Sequence, residues 1–310
     1  MSATFTRANL GRGPAQITFN SLTFYTAGDI TVRLAPAWKA ITTSMYGEVD
    51  KAITDRVYKV GMRLWGAWEN LTTIFPSAVL TPVIGASLYG ASDATLTIWG
   101  RNQDKLVFTN AAITKVANLQ LGVDQDLFSA DVEFTCIKGL SANPEDANAY
   151  YTQSTAALTE STFAKTAFKK ARWSAAWGAL SGFTAFVGQK GFAISWQMEA
   201  RPVTVDGFGT CDFTLTGFRG QAKCIPIVPT IAQLEAQAAG QGIALGALLS
   251  GVSADLTITA PTSGSVVLKN AGIIEHGYAF GVDPLRLGEV TWETTRGFAA
   301  GVAAAVATVS

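Results

Sequence analysis

Two stretches of the chain carry the same pattern and decide the fold: TLTIWGRNQDKLVFTNAAI at residues 95–113 and DLTITAPTSGSVVLKNAGI at residues 255–273. The matched residues stand 160 positions apart: Leu96 with Leu256, Ile98 with Ile258, Phe108 with Leu268, Asn110 with Asn270 and Ile113 with Ile273. Such self-similarity at a fixed period is the signature of a repeated structural unit. The sequence therefore predicts a tandem duplication.

The repeat continues downstream. GVD at 122–124 recurs at 281–283, 159 positions on, and DVEFT at 131–135 recurs as EVTWE at 289–293, 158 positions on. Apolar and polar residues alternate in these segments, which is typical of half-buried antiparallel strands. We therefore predict a mainly β fold with two tandem antiparallel β-sandwich or barrel domains, each with a short flanking helix.

Upstream, the best string match pairs GMRLWG (61–66) with DFTLTG (212–217), and IFP (74–76) with CIP (224–226). This alignment gives the first copy about 12 extra residues, which suit a long hairpin or arm at about 36–60. It gives the second copy an insertion in which Thr230 and Gln233 form a capping box and Gly240 ends a helix.

A length of 310 residues suits two domains of roughly 150 residues each. We place the first domain at 1–142, a linker at 143–160 and the second domain at 161–310. The linker opens with Pro144, Glu145 and Asp146, a first-turn pattern that predicts a helix.

Composition bounds the function. Hydrophobic residues make up 48% of the chain and charged residues only 15%, against an average charged share of about 25%. This deficit indicates that part of the surface is buried against other copies. A net charge of zero gives no general attraction for nucleic acid or anionic membranes. Neither a signal peptide nor a membrane-spanning segment is expected, so we expect a soluble, cytosolic product.

No catalytic chemistry is evident in the sequence. Cys136, Cys211 and Cys224 lack metal-ligand spacing, and the single histidine, His276, aligns with Val116 of the first copy. We expect buried cysteines, a surface or loop histidine, and no enzyme activity, metal or cofactor.

One charged pattern recurs in both copies. Asp131 and Glu133 alternate with apolar residues on one closing strand, and Glu289 and Glu293 do so on the other. An acidic polar face on equivalent strands is either a solvated outer surface or the lining of a shared pore.

Together these segments resemble the tail tube proteins of long-tailed bacteriophages, whose fold is shared with type VI secretion tubes and baseplate hubs. The resemblance covers both halves: LTFYTAGDITVRL (22–34) and FTAFVGQKGFAISW (183–196) resemble the strand pairs, followed by the LTI and GVD segments. It implies rings of six modules built as a homotrimer, stacked into a virion tail tube that conducts DNA during ejection and is assembled in the cytoplasm of the host bacterium.

The resemblance also implies site residues and partners. The lumen candidates are Asp131, Glu133, Glu289 and Glu293. The ring-stacking candidates on the arm are Trp38, Lys39, Met45, Tyr46, Glu48, Asp50, Lys51, Asp55 and Arg56. The implied partners are other copies of the chain, the baseplate or hub protein and the tail-terminator protein. Inside the lumen they are the tape-measure protein and passing DNA, which is contacted without sequence-specific binding. No membrane is implied, and whether a sheath surrounds the tube is left open.

Two alternatives stay open. A trimeric baseplate hub or tube-initiator protein would form one ring and stop. A two-domain β-sandwich binding protein would display an aromatic platform instead, and five tryptophans are available for it: Trp65, Trp68, Trp173, Trp177 and Trp196.

Overall fold

The structure, a computed structural model, describes residues 16–26, 28–67, 87–89, 94–100, 104–121, 127–138, 150–155, 173–178, 183–205, 209–227, 253–260, 264–279, 286–294 and 307–309. These residues lie almost entirely in antiparallel β-strands, which confirms the mainly β prediction. The strands are β1 (Gln16–Phe19), β2 (Leu22–Thr26), β3 (Thr31–Thr43), β4 (Gly47–Ala67), β5 (Ala94–Trp99), β6 (Asp104–Leu121), β7 (Leu127–Ile137), β8 (Tyr151–Thr155), β9 (Ser174–Trp177), β10 (Phe186–Gly188), β11 (Phe192–Val205), β12 (Gly209–Cys224), β13 (Pro226–Ile227), β14 (Ala254–Thr259), β15 (Ser265–Ala279), β16 (Arg286–Thr294) and β17 (Ala307–Val309).

The strand pairings of the first module close on themselves. They run from β4 through β2, β1, β5, β6 and β7 and return to β4. Residues of alternate positions, such as Ile17, Val60 and Phe134, are fully buried inside this six-stranded barrel. Because the barrel closes, the paired segment of each strand has a neighbouring strand on both sides. Its backbone N–H and C=O groups are therefore not left at an exposed sheet edge.

The second module repeats the first strand for strand. β13, β10, β9, β14, β15 and β16 pair in the same order, and β16 returns to β12, which precedes β13 by one residue. The core repeats as well. The Phe19 and Phe134 rings meet edge-on with centroids 4.9 Å apart, and the equivalent Trp177 and Trp292 rings meet edge-on at 6.3 Å. The larger second pair fills the same place in the barrel.

The predicted linker helix is wrong where the structure describes it. Tyr151–Thr155 form strand β8, which extends the sheet beside the N-terminal half of β6. Tyr151 packs edge-on against Tyr58 and tilted against Phe108, so aromatic packing and backbone pairing override the local helix pattern. No helix lies among the described residues; the helix expected at 230–240 and the rest of the linker lie outside them.

Both modules carry a long hairpin, and the two hairpins are equal in length. β3 pairs with β4 from Thr31↔Gly61 to Thr43↔Gly47, and β11 pairs with β12 from Ala193↔Lys223 to Val205↔Gly209. Equivalent positions differ in residue number by a constant 162. The two register shifts recur at the same offset: Ala37/Trp38 with Glu199/Ala200, and Ile41/Thr42 with Val203/Thr204.

This equality corrects the upstream alignment. The prediction of about 12 extra residues in the first copy is wrong, because Gly61 corresponds to Lys223 and not to Asp212. The string match is displaced by 11 residues, from Lys223 to Asp212, and an odd shift would exchange the two faces of a regular strand. The bulge at Thr216 of β12 restores the alternation, so a string comparison, which cannot detect a bulge, does not fix the register. The tight turns fix it: Gly47 and Gly209 both close their hairpins with positive φ, +71° and +82°.

The two modules are joined by a continuous sheet. The C-terminal half of β6 pairs antiparallel with the start of β11, through Leu119↔Ile194, Val116↔Trp196 and Lys115↔Gln197. The resulting order is β3–β4–β7–β6–β11–β12–β16–β15, four strands from each module. One face of this eight-stranded sheet covers the barrel cores, and its other face is polar.

Candidate assembly surface

The polar face of the first module carries two of the sequence-predicted carboxylates. Val132 and Phe134 point into the core, so Asp131 and Glu133 point outward. Lys59 Nζ lies 3.2 Å from Glu133 Oε1. Arg63 Nε lies 3.8 Å from Asp131 Oδ1, and Asn118 Nδ2 donates a hydrogen bond of 3.0 Å to Asp131 Oδ2.

The second module repeats this arrangement with other residues. Lys223 Nζ lies 3.1 Å from Glu289 Oε1. Arg219 Nε and Gln221 Nε2 both donate to Glu293 Oε2, at 2.9 and 2.7 Å. Each of the four carboxylates is therefore paired with a cation from the neighbouring strand.

The strands β7 and β16 carry the acidic side chains expected of them, but cations from β4 and β12 make the face as a whole mixed in charge. Four basic side chains balance the four carboxylates, and all eight are at least partly exposed. A row of Cα partners crosses the modules without interruption, from Glu133 to Lys115, Gln197 and Arg219. The two polar faces thus form one surface, with charges of both signs held close to neutrality.

The two ends of the eight-stranded sheet are complementary. β3 pairs only with β4 among the described strands, and past Ala271 the only described partner of β15 is β16. β3 is the equivalent of β11, and β15 is the equivalent of β6, the two strands that meet at the junction between the modules. The chain therefore presents, at opposite ends of one sheet, the two halves of a contact that it already makes internally.

Equivalent side chains of β3 and β11 differ in how much of their surface is exposed. Val32 and Leu34 on β3 are 40% and 44% exposed, whereas their equivalents Ile194 and Trp196 on β11 are 0% and 2% exposed. Sequence reasoning missed Val32 and Leu34. Their apolar alternation is visible in the sequence, but only the correct alignment of the two hairpins shows that they correspond to junction residues.

The predicted stacking arm is the outer part of the β3–β4 hairpin. Met45 and Tyr46 at its tip are 82% and 78% exposed, and Trp38 is 55% exposed. An ion pair of 3.3 Å joins Lys51 to Glu48 in its second strand. Lys39, Asp50 and Arg56 are also exposed, and the side chain of Asp55 lies outside the described residues.

A segment of the first module, Leu88 and Tyr89, forms hydrogen bonds with the second hairpin. Leu88 N donates to Phe213 O at 2.8 Å, and Tyr89 N donates to Asp212 Oδ1 at 3.2 Å. Leu215, near this contact, is 2% exposed, whereas its equivalent on the first hairpin, Ile53, is 41% exposed. The first hairpin thus lacks, within the described part of the chain, the cover that the second receives.

The single histidine and the three cysteines all lie in strands. His276 is not on a loop or fully exposed: it is half-buried in β15, at the core-facing position of Val116, because the duplication fixes its register. Cys136 and Cys224 are buried, and burial raises the pKa of both thiols. Within the described residues no group of three or more metal-binding side chains occurs.

The tryptophans do not form one exposed platform. Trp173, Trp177 and Trp196 are buried, Trp65 is partly exposed, and Trp68 lies outside the described residues. Burial in a barrel or at a junction is the commoner role of aromatic side chains at strand spacing.

Comparison with known proteins gives no match to a family model and none to a curated protein. No helix of the described residues is long and apolar enough to cross a membrane. The features that bear on function are the duplicated fold and the two edges of the eight-stranded sheet that have no partner strand among the described residues.

Proposed function

We propose that this chain is a structural protein that assembles into rings, and that the rings stack into the tube of a bacteriophage tail. The observation that carries the proposal is the eight-stranded sheet with its two complementary edges. A contact between unlike surfaces propagates from copy to copy until the rotation closes it into a ring.

The resemblance to tail tube proteins implies a ring of six modules, which three chains would close. Each chain contributes two equivalent modules, so three chains supply six modules, and eight strands per chain supply 24 strands. Barrels of 16–18 strands already enclose an aqueous channel, so a wall of 24 strands would surround an open lumen. The low charged fraction of 15% agrees with burial of surface between copies.

The polar face suits a lumen through which DNA passes. A basic lining would hold DNA, because each phosphate neutralised by a cation adds binding energy through counterion release. On this face Lys59, Arg63, Arg219 and Lys223 are each already paired with a carboxylate on β7 or β16. A nearly neutral lining of paired charges would let a polyanion slide without sticking.

Negative-stain microscopy of the purified chain tests this function. Long hollow tubes whose end views average to three-fold symmetry, with six similar lobes, would support it. Closed rings that never stack would favour the alternative of a baseplate hub or tube initiator. A chain that stays monomeric at high concentration, by light scattering and microscopy, would overturn both assemblies.

A further inference from the structure

We infer that a second copy of this chain binds along the edge of β3 by adding its own β15 as the next strand, in a register set by the internal β6–β11 junction. This inference rests on the ring assembly proposed above and names the contact that closes it. It commits to one occupant, because the structure already contains the same contact between its two modules.

The register follows from the two offsets of the duplication. Residue numbers in β3 and β11 differ by 162, and those in β6 and β15 differ by 160 as far as His276. The internal pair Trp196↔Val116 therefore becomes Leu34↔His276 between copies. The internal pair Gln197↔Lys115 becomes Ala35↔Glu275.

The new ladder would be more regular than the internal one. Asn118, with a φ of +52°, is an extra residue that interrupts the β6–β11 ladder between Ile194 and Trp196. β15 has one residue fewer at this place, since the offset of the repeat falls from 160 before it to 159 at the GVD segment. The ladder between copies would then continue without a bulge to Thr31↔Ala279.

The apolar side chains of β3 match this contact. Ile194 and Trp196 are buried at the internal junction, and their equivalents Val32 and Leu34 are the ones left exposed. An exposed strand edge with apolar side chains readily pairs with another chain. The proline on this edge is compatible, because Pro36 corresponds to Met198, one residue beyond the last internal pair at Gln197.

Charge also matches across the proposed contact. Arg33 lies opposite Lys59 on β4, and like charges in directly opposed positions destabilise a sheet. Glu275 is exposed on the polar face of β15. In the inferred register Glu275 is the diagonal neighbour of Arg33 and would offset this repulsion. The equivalent internal position holds Lys115, so the edge contact has a charge pair of its own.

Paired cysteines test the register. In a Cys211→Ser background, we would combine Ala35→Cys with Glu275→Cys in one chain and oxidise the assembled protein. Cross-links between copies should give covalent dimers and trimers on non-reducing gels, with no species above the trimer. The two single variants mixed together should give dimers only, and neither variant alone should give them.

An off-register pair is the matched control. Ala35→Cys combined with Gly277→Cys places the sulfurs two residues apart along the ladder, beyond the Cα distance that a disulfide spans. Its cross-linked yield should be at least several-fold lower. Equal yields from both pairs, or no cross-link in assemblies that microscopy shows as rings or tubes, would overturn this interface and leave the ring proposal standing. A monomeric protein would overturn both.

A charge exchange gives a second readout that does not depend on oxidation. Arg33→Glu alone and Glu275→Arg alone should each raise the dissociation constant of ring assembly roughly threefold. Each should therefore lower the fraction of chain found in rings. The double variant should restore it. Two additive losses would show that these residues do not meet and would overturn the register.

Discussion

Leu34 and Trp196 occupy the same position in two copies of one hairpin, yet Leu34 is 44% exposed and Trp196 is 2% exposed. The difference arises because Trp196 lies opposite Val116 of the first module, whereas no described strand covers Leu34. Because their positions are equal and their burial is not, substitutions at these two residues can test whether the β3 edge serves folding of the chain or contact with another copy.

Alanine substitutions at these two positions should affect the stability of the monomer very differently. Trp196→Ala should lower the free energy of unfolding of the monomer by about 3–5 kcal/mol, since it removes a buried aromatic side chain. Leu34→Ala should change it by no more than about 0.5 kcal/mol, as is usual at exposed sites. Urea unfolding at a concentration where the chain is monomeric measures both values.

For ring formation, in contrast to monomer stability, we expect Leu34 to be essential. Leu34→Asp should abolish rings in sedimentation or microscopy while leaving monomer stability nearly unchanged. Ile41→Asp is the control, because Ile41 is equally exposed but lies beyond the inferred ladder. Loss of rings in both variants would mean that exposed apolar area in general, and not this edge, drives assembly.

The polar face makes a separate prediction about accessibility. In a Cys211→Ser background, Glu133→Cys should react with a bulky polymer maleimide in the monomer and be protected in assembled tubes, because a lumen admits large reagents only from its ends. Lys269→Cys is the control, since Lys269 lies before Ala271, where the pairing of β15 with β16 begins, and forms its ion pair with Asp255 of β14. Equal labelling of both positions in tubes would place Glu133 on an outer surface.

Much of this fold is predictable from the sequence because the duplication preserves what the barrel needs. The offset of 160 aligned Leu96 with Leu256 and Ile113 with Ile273, and the structure places these residues at equivalent buried positions. Long strands with strict alternation on a closed barrel leave little choice of which side chain points inward.

The hairpins and the carboxylates show where such reasoning stops. Alternation alone aligned Gly61 with Asp212, and only the turns and bulges of the folded hairpins give the true partner, Lys223. The acidic pattern of Glu133 and Glu293 was visible along one strand, but their cations come from the next strand across the sheet. Pairing between distant strands determines the charge of the face, and local patterns do not encode it.

The two buried thiols predict a loss of stability in alkaline solution. Burial raises the pKa of Cys136, and burial followed by the charge of Glu289 raises the pKa of Cys224. The thiols of the unfolded chain ionise near pH 8.5, so only the unfolded state releases protons above that pH. The stability contribution of a neutral buried thiol is complete below pH 8.5 and declines as pH rises further, by about 1.4 kcal/mol per thiol at pH 9.5.

Unfolding in urea between pH 7 and pH 10 measures this decline. A Cys136→Ala, Cys224→Ala variant should be less stable at pH 7 but should lose less stability on going to pH 9.5. Identical pH dependence of the two proteins would show that both thiols ionise as readily in the folded state as in the unfolded state.

The equal lengths of the two hairpins allow a matched test of stacking. Replacing residues 40–51 by Asn-Gly joins the paired residues Lys39 and Ala52 through a two-residue turn that suits a hairpin. Because the removed residues are exposed, the monomer should keep its stability and rings should still form. Stacking should fail, so microscopy should show single rings in place of tubes.

The equivalent replacement of residues 202–213 joins Arg201 to Thr214 in the second hairpin. It removes the acceptors of two hydrogen bonds, Phe213 O for Leu88 N and the Asp212 carboxylate for Tyr89 N, so it should lower the free energy of unfolding by about 1–3 kcal/mol. The first hairpin should therefore affect stacking alone, and the second should affect monomer stability as well. Tubes of ordinary length from the chain with a shortened first hairpin would show that ring-to-ring contacts lie elsewhere on the molecule.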